Sequence, residues 1–349
     1  MRKVMLGTLL LVVAGLIGMG VIGNPAPLQA KENVITLKFS HGYPVGTKEN
    51  PYFIHKLALL FQQYADEYTE GRVKTTIFPA AQLFKAKEEI EGCRRGDVDI
   101  ISTPSQYAAK YNKLERIRFF PVIVSWKGVR KWATNPQVYE MNRKVYEDKI
   151  GKLKFLGYIP TPVYKMLWTK KPIAKIEDFK GLKIRATSKQ KGMFRALGGS
   201  CELISSGEVI TALQTGMVDG CYMSYSWAQS NSLWEFTRYA TPRGVMAFSS
   251  IIWEPLNMNK ATWDRISKKD QEAIVEKVVP MIRAGMKVFM ESGEDHSFGL
   301  FEKNGVTYSW LSGEELKRFR EIRDVEMQKA MEKEGIKDYY HFVTKLVGE

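Results

Sequence analysis

The sequence predicts an α/β protein of two lobes around a hinged cleft, with a long helix spanning both lobes. Three observations lead there. The stretch from Ile176 to Tyr225 reads as strand, helix, strand, helix, strand, an order that builds a largely parallel sheet. An earlier run from Val34 to Ser102 repeats the alternation. At 349 residues the chain is too long for one small core and suits two domains of ordinary size.

Taken in order, the first thirty residues are a separate object. Arg2 and Lys3 precede the apolar run Val4 to Ile22, and Pro25-Ala26-Pro27-Leu28-Gln29-Ala30 leads to charged Lys31. A charged start, an apolar middle and a small residue before the cut predict a signal peptide over residues 1–30, cleaved after Ala30. Leu28 is not ideal at the third position before that cut, so an uncleaved anchor is the alternative. No cysteine lies at the junction, which argues against a lipid anchor.

Val34 to Ser40 reads as a buried strand that opens into the loop Ser40-His41-Gly42-Tyr43-Pro44. Asn50-Pro51 starts a helix through Tyr68, with Leu57, Leu60, Phe61, Tyr64 and Ala65 on its inner face. Val73 to Phe78 is a strand, Lys85 to Arg95 a helix closed by Gly96, and Val98 to Ser102 a third strand. After it comes the loop Thr103-Pro104-Ser105-Gln106-Tyr107. The apolar connector Ile117 to Val124 precedes helical sequence from Val129 to Tyr146, broken or bent near Asn135-Pro136. Strands Lys154 to Ile159 and Tyr164 to Thr169 flank Thr161-Pro162, where the chain crosses between lobes.

In the second lobe, Leu182 and Ile184 form a strand that ends at Arg185. The helix from Gln190 to Leu197 stops at Gly198-Gly199. Cys201 to Ile204 is a strand, and Ser205 or Ser206 caps a helix with Val209, Ile210, Leu213 and Met217 on one face. The strand opening at Val218 follows. Phe248 to Met258 returns the chain to the first lobe. The charged helical stretch Trp263 to Phe298, kinked at Pro280, spans both. Ser312 with Glu315 predicts a capping box for a tail helix reaching Glu334. Lobe I is thus 31–160 plus about 248–285, and lobe II 161–247 plus about 286–349.

Composition narrows the function. Hydrophobic residues at 44% and charged residues at 26% are those of a soluble globular protein. The formal charge is +14, or +12 without residues 1–30, but basic residues alternate with acids, as in Lys87-Glu88-Glu89 and Lys268-Lys269-Asp270. That pattern describes a solvated surface with some attraction for anionic solutes, not a nucleic-acid stripe. The three cysteines, Cys93, Cys201 and Cys221, have no CxxC spacing, so buried thiols are the reading, with a Cys201–Cys221 disulfide as the alternative. His41, His55, His296 and His341 show no HExxH or other metal spacing, so no metal is expected. GxSxG, GxGxxG after the first strand and the P-loop are all missing, and Asp97 and Asp99 sit in a strand entry, so neither a cofactor nor catalysis is expected.

The blocks DFKGLKIR, ALGG, SSGEVITALQTGMVDG and NMNKATWDRISKKDQEAI resemble DctP-type solute-binding proteins, the periplasmic receptors of tripartite ATP-independent (TRAP) transporters. LKFSHGYPVGT and GRVKTTIFPAAQLFKAKEEIEGCRRGDVDI agree, and the colinear match runs from about Val34 to about Gln271. The resemblance implies a periplasmic-binding-protein-like fold, a monomer, a small organic acid ligand, and two membrane partners: a small four-helix subunit and a larger transport subunit. An exported enzyme or a signalling receptor on the same two-lobe scaffold is the alternative.

Ligands of open α/β sheets lie outside the carboxyl ends of the strands, which is where Arg185 falls. Its guanidinium offers two parallel donors to a carboxylate. The residues alone leave open a clamp or a surface ion pair; in the resembled family the arginine of this KIR block binds the substrate carboxylate. Lys165 stands where many members carry a second ligand-facing arginine and keeps the charge without the fork. Met223 stands where several relatives place an asparagine. With Tyr225 and Trp227 it describes a more apolar wall and speaks against a sialic-acid-like ligand. Phe84 replaces a usual glycine and either closes a corner of the pocket or packs a loop. Ser224 follows Met223 in the same run. His41, Tyr43, Ser102, Ser105, Gln106, Tyr107 and Ser206 lie on loops turned inward and supply polar contacts as a set.

Overall fold

The computed structural model describes residues 34–348 apart from 47, 49–50, 104, 162–164, 205, 243–245 and 251–252. The expected signal peptide therefore lies outside the described residues. From Val34 onward the chain is one compact unit.

The first sheet starts with β1 (Ile35–Ser40), whose alternate residues Leu37 and Phe39 are fully buried. Helix α1 (Phe53–Tyr68) buries Ile54, Leu57, Ala58 and Phe61, the i, i+3, i+4, i+7 set of an amphipathic helix. It leads to β2 (Val73–Phe78), which pairs parallel with β1. Helix α2 (Glu89–Arg95) starts later than its sequence suggests, since 85–88 form turns. Gly96 closes it at φ +86°, a conformation that favours glycine. Then come β3 (Ile100–Ser102), the single turn α3 (Ser105–Ala108) and a 3₁₀ segment over Lys113–Phe119. Helices α4 (Trp126–Ala133) and α5 (Pro136–Arg143) are separated at Asn135, whose side chain caps α5 by accepting from Gln137 and Val138. A π-helical turn over Lys144–Ile150 feeds β4 (Leu153–Pro160), which is buried almost throughout.

The chain then enters the second sheet through β5 (Lys165–Thr169), β6 (Lys183–Arg185), α6 (Lys191–Ala196), β7 (Ser200–Glu202), α7 (Val209–Gln214), β8 (Gly220–Ser224), α8 (Tyr225–Ser230) and β9 (Tyr239–Ala240). Strand β10 (Trp253–Asn259) returns to the first sheet, antiparallel between β3 and β4. The orders are β2-β1-β3-β10-β4 and β11-β9-β5-β8-β6-β7, the last strand of the second sheet being β11 (Thr307–Tyr308). The fold is thus α/β with two lobes, each built on one sheet. In β8, Gly220 passes so close to β5 that a Cβ there would lie 2.3 Å from the Trp168 carbonyl oxygen.

The long helical stretch is interrupted more than the sequence indicates. Helix α9 (Lys260–Arg265) ends before Ser267, which caps α10 (Lys268–Ala273) by accepting from the Asp270 N–H. A π-helical turn over Ile274–Val278 then joins α11 (Val279–Lys303). Pro280 lies within helical backbone that runs unbroken from Lys268 to Lys303, and the π-helical turn directly before it is the irregularity that accommodates its ring and missing N–H. Helix α11 does reach both lobes. Ile282, Met286 and Met290 pack in the cluster of Leu57 and Phe61, while Phe301 meets Trp168 of β5 edge-on at 5.0 Å.

Helix α12 (Gly313–Glu334) opens beside the second sheet, where Phe319 packs on Phe248, and ends beside the first. Met327, Met331 and helix α13 (Lys337–Val347) join the core of Trp132 and Tyr158, and Trp132 Nε1 donates to the Tyr339 hydroxyl at 3.0 Å. The end of the chain therefore packs on lobe I, not on lobe II as the 286–349 division had it. Ser312 forms no side-chain cap; Glu315 instead accepts from the Ile176 N–H at 2.7 Å. Met217, expected inside, is 58% exposed because α7 ends at Gln214.

Candidate functional site

A cleft of about 1010 Å³ lies between the two sheets and takes side chains from both. From the side of the first sheet come Tyr43 of the loop after β1, Arg118 and Phe119 of the 3₁₀ segment, and Glu254 of β10. From the second come Lys165 at the start of β5, Arg185 at the end of β6, and Met223 and Ser224 at the end of β8. The pairing explains the convergence. Strand β8 runs antiparallel to β5 and parallel to β6, so Lys165 faces Ser224 and Arg185 lies beside Cys221.

Arg185 is half-buried and positioned by its neighbours. Its Nε donates to the Ile204 carbonyl at 2.9 Å, and its Nη1 lies 2.7 Å from the Met223 sulfur. Burial pulls its pKa down. Lys165 is perturbed further: burial first, then Arg118, then Arg185, bring its pKa down to about 7. Glu254 is 1% exposed and Arg118 4%, so both charges lie on the floor of the cleft. Tyr43 stacks on Tyr52 at 5.4 Å, and burial raises the pKa of both phenols. Beneath them Glu89 accepts from the Gly42 N–H and, at 3.1 Å, from the Thr103 hydroxyl. Burial pushes the Glu89 carboxyl up to about 8, so this loop rests on a group that is mostly neutral at pH 7. Gly42 is required there, since a Cβ would lie 2.4 Å from the Ala86 nitrogen.

The structure brings together Arg185, Lys165, Tyr43, Met223 and Ser224, with Tyr107 and Trp227 on the same walls. The Ser224 hydroxyl is already engaged as the cap of α8, accepting from the Trp227 N–H at 3.2 Å. Three expected residues are elsewhere: Ser102, fully buried at the end of β3, His41 and Tyr225. His41 is fully buried behind the loop, its Nε2 3.0 Å from His55 Nδ1; burial and His55 lower its pKa to about 4. Tyr225 points the other way, into the core against Phe298 and a small cavity beside α11. A continued strand would put Tyr225 on the same face as Met223, but helix α8 starts at Tyr225 and turns its side chain away from the cleft. Gln106 lies in α3 and Ser206 in the 3₁₀ turn before α7; their side chains lie outside the described residues. Phe84 is not on the cleft and packs over Gly92.

Sequence reading missed Arg118 and Glu254, together with Thr187 and Tyr52. Glu254 did leave a signal: it is a carboxylate inside the otherwise apolar run Ile251-Ile252-Trp253-Glu254-Pro255-Leu256. Arg118 left the same kind of signal, as the one charged residue of the apolar connector Ile117 to Val124. The three cysteines are free and buried. Cys201 and Cys221 cannot pair, because β6 lies between their strands, about 9–10 Å of sheet. Among the described residues no group of His, Cys, Asp and Glu is placed to hold a metal ion, and no helix is long and apolar enough to cross a membrane.

Two α/β lobes enclosing a cleft walled from both sides are the architecture of a solute receptor. The chain matches the bacterial extracellular solute-binding protein family 7 (DctP) over residues 46–334 and belongs to that family. The C4-dicarboxylate-binding periplasmic protein DctP of Rhodobacter capsulatus is 25% identical over 304 residues, covering 83% of this chain and 80% of its own length. A TRAP periplasmic solute-binding protein from Ochrobactrum anthropi shares the fold at a TM-score of 0.77 and 21% identity, over 91% of this chain and 97% of its own. Another, from Shewanella oneidensis with bound succinate, has a TM-score of 0.71 and 20% identity, over 90% and 99%.

Proposed function

We propose that this protein is the periplasmic receptor of a TRAP transporter and captures a small organic acid in the cleft between its lobes. One observation carries the reading: among the described residues the cleft is lined by four cationic side chains, Lys85, Arg118, Lys165 and Arg185, against one carboxylate, Glu254. Such a lining attracts and holds anions. Arg185 clamps a ligand carboxylate through its guanidinium, Lys165 adds a point charge, and Met223 with Trp227 and Tyr43 supplies apolar surface. The relative named as C4-dicarboxylate-binding and the structure with bound succinate support an organic-acid ligand.

Closure of the lobes buries the solute and presents a new surface to the four-helix and transport subunits. The receptor is exported by a signal peptide cut after Ala30, acts as a monomer, and releases its ligand chemically unchanged. Native mass spectrometry of the mature protein, before and after denaturation, tests this. The expected result is a small carboxylate released intact. A neutral or cationic ligand, or one chemically altered on incubation, would overturn the reading.

A further inference from the structure

Away from the cleft, β4 is the edge strand of the first sheet, and both α4 and α11 pack on it. Between the two helices lies a groove of about 550 Å³, with Trp126 and Pro160 as apolar surface. Its walls carry cations at helical spacing: Lys127 and Arg130 on α4, Arg283 and Lys287 on α11. Among the described residues no carboxylate lines it. Arg283 is built into place. Its Nε donates to the Tyr158 carbonyl of β4 at 2.9 Å. A Cβ on Gly157, at φ +114° beside the bulge of β4, would lie 2.6 Å from its Nη2, so that glycine is what admits the guanidinium. Burial pulls the Arg283 pKa down, and only the Tyr139 phenol acts against this. Exposed Lys127 and Arg130 have no ion-pair partner among the described residues, and Lys287 has only Glu291 of its own helix, 3.6 Å away. A half-buried guanidinium without a counter-charge is costly, so the groove gains by receiving carboxylates.

The layout of the charges points to a protein segment. Each wall carries two cations one helical turn apart, about 5–6 Å. A single small anion satisfies one such pair, whereas a chain with several carboxylates and an apolar side meets both walls and the surface between them. We propose, on the basis of the receptor reading above, that this groove is a docking surface for an acidic, partly apolar segment of the membrane transport subunits. Its position suits that partner. Pro160 is the last residue of β4 before the chain passes to the second sheet, and α11 reaches both lobes. A segment seated there rests on the elements that lobe movement must bend, so docking responds to closure.

The test is interferometry of the full mature chain on the TRAP membrane subunits of its own organism, held in nanodiscs of neutral lipid. The wild type should bind, and bind at least about tenfold more weakly at about 300 mM than at about 50 mM salt. Lys127→Glu combined with Arg130→Glu should weaken binding at least about tenfold, mainly through slower association, while Lys127→Arg with Arg130→Lys should bind like the wild type. Both positions are exposed, a thermal melt checks the fold, and native mass spectrometry shows that the reversed variant still carries the wild type's co-purified acid. Unchanged binding of the reversed variant overturns the groove and leaves the receptor reading standing. A wild type that does not bind the subunits overturns both. Binding to subunit-free nanodiscs of anionic lipid, lost on the same charge reversal, assigns the groove to a lipid surface and overturns the acidic segment.

Discussion

Lys165 makes the receptor's affinity depend on pH, and the size of the effect follows from its position. Burial, Arg118 and Arg185 hold its pKa at about 7 in the unliganded cleft, against an ordinary 10.5. A bound carboxylate supplies the missing counter-charge and returns the lysine towards its ordinary value. The complex then holds more protons than the free receptor, so affinity must fall as pH rises through 7, and fall on until the pKa of the complex is reached. With a full return to 10.5, binding at pH 7 takes up about half a proton and at pH 8 about nine-tenths, and affinity drops about 50-fold between pH 7 and pH 9. Around pH 6 the contribution of Lys165 levels off, since it is protonated with or without ligand, and at lower pH protonation of the ligand's own carboxylate weakens binding.

Titration calorimetry in buffers of different ionisation enthalpy measures the proton uptake directly. Two neighbours titrate outside Lys165's role. His41, at about 4, stays neutral across this range, and Glu89, at about 8, ionises within it but lies behind Gly42. Glu89→Gln should therefore keep the linkage, while Lys165→Met should abolish it. An affinity that is level from pH 6 to pH 9 with no proton uptake, or protons released on binding, would refute the reasoning.

Two further outcomes follow from the same geometry. Arg185→Ala should weaken binding of the cognate acid at least about 100-fold, because it removes a buried charged partner, with circular dichroism and melting nearly unchanged; unchanged affinity would sink the clamp. Glu115, buried in lobe I, accepts from the hydroxyls of Tyr146 and Tyr158 and from Trp253 Nε1. Glu115→Ala strands three buried donors, so stability in urea should fall by at least about 3 kcal/mol, whereas a loss below about 1 kcal/mol would show that water replaces the carboxylate there.

The elements that sequence reading found are those whose periodicity belongs to one segment. Strand β2 was predicted with its observed ends, and the strand–helix alternation around Arg185 was legible because glycines, caps and apolar spacing punctuate it locally. Arg185 was placed by its strand end, while the resemblance, not the residues alone, singled it out as a ligand contact; in the structure its side chain lines the cleft. The errors came where a partner distant in sequence decides the outcome. Glu315 was free to form a capping box until Ile176, 139 residues away, took its carboxylate. Tyr225 and His41 were read as cleft residues from their loops, but which side a side chain takes at a strand end depends on what packs behind it: Phe298 for one, His55 for the other. Arg118 showed only as a lone charge in the apolar connector Ile117 to Val124, with nothing local to place it. Its segment has no period, and it reaches the cleft because Glu115 anchors that segment to β4 and β10 and because Gln190 Nε2 of lobe II donates to the Phe119 carbonyl at 2.9 Å.

That last contact bears on how binding and closure are coupled. Burial is the main cause that lowers the pKa of Lys165, and Arg118 of the opposite lobe adds to it, so part of the shift is repulsion between the two walls. A ligand can favour the closed arrangement only by interacting differently with the two states. An anion seated between Arg118, Lys165 and Arg185 does so, because it turns a repulsion across the cleft into two attractions, and the gain is larger the nearer the walls approach. A neutral solute of the same shape would fill the cleft and leave the repulsion in place. On the proposed function, selection of the ligand and the drive to close are therefore one electrostatic event. The cations of lobe II would hold the solute, and Arg118 would make holding it require the lobes to come together.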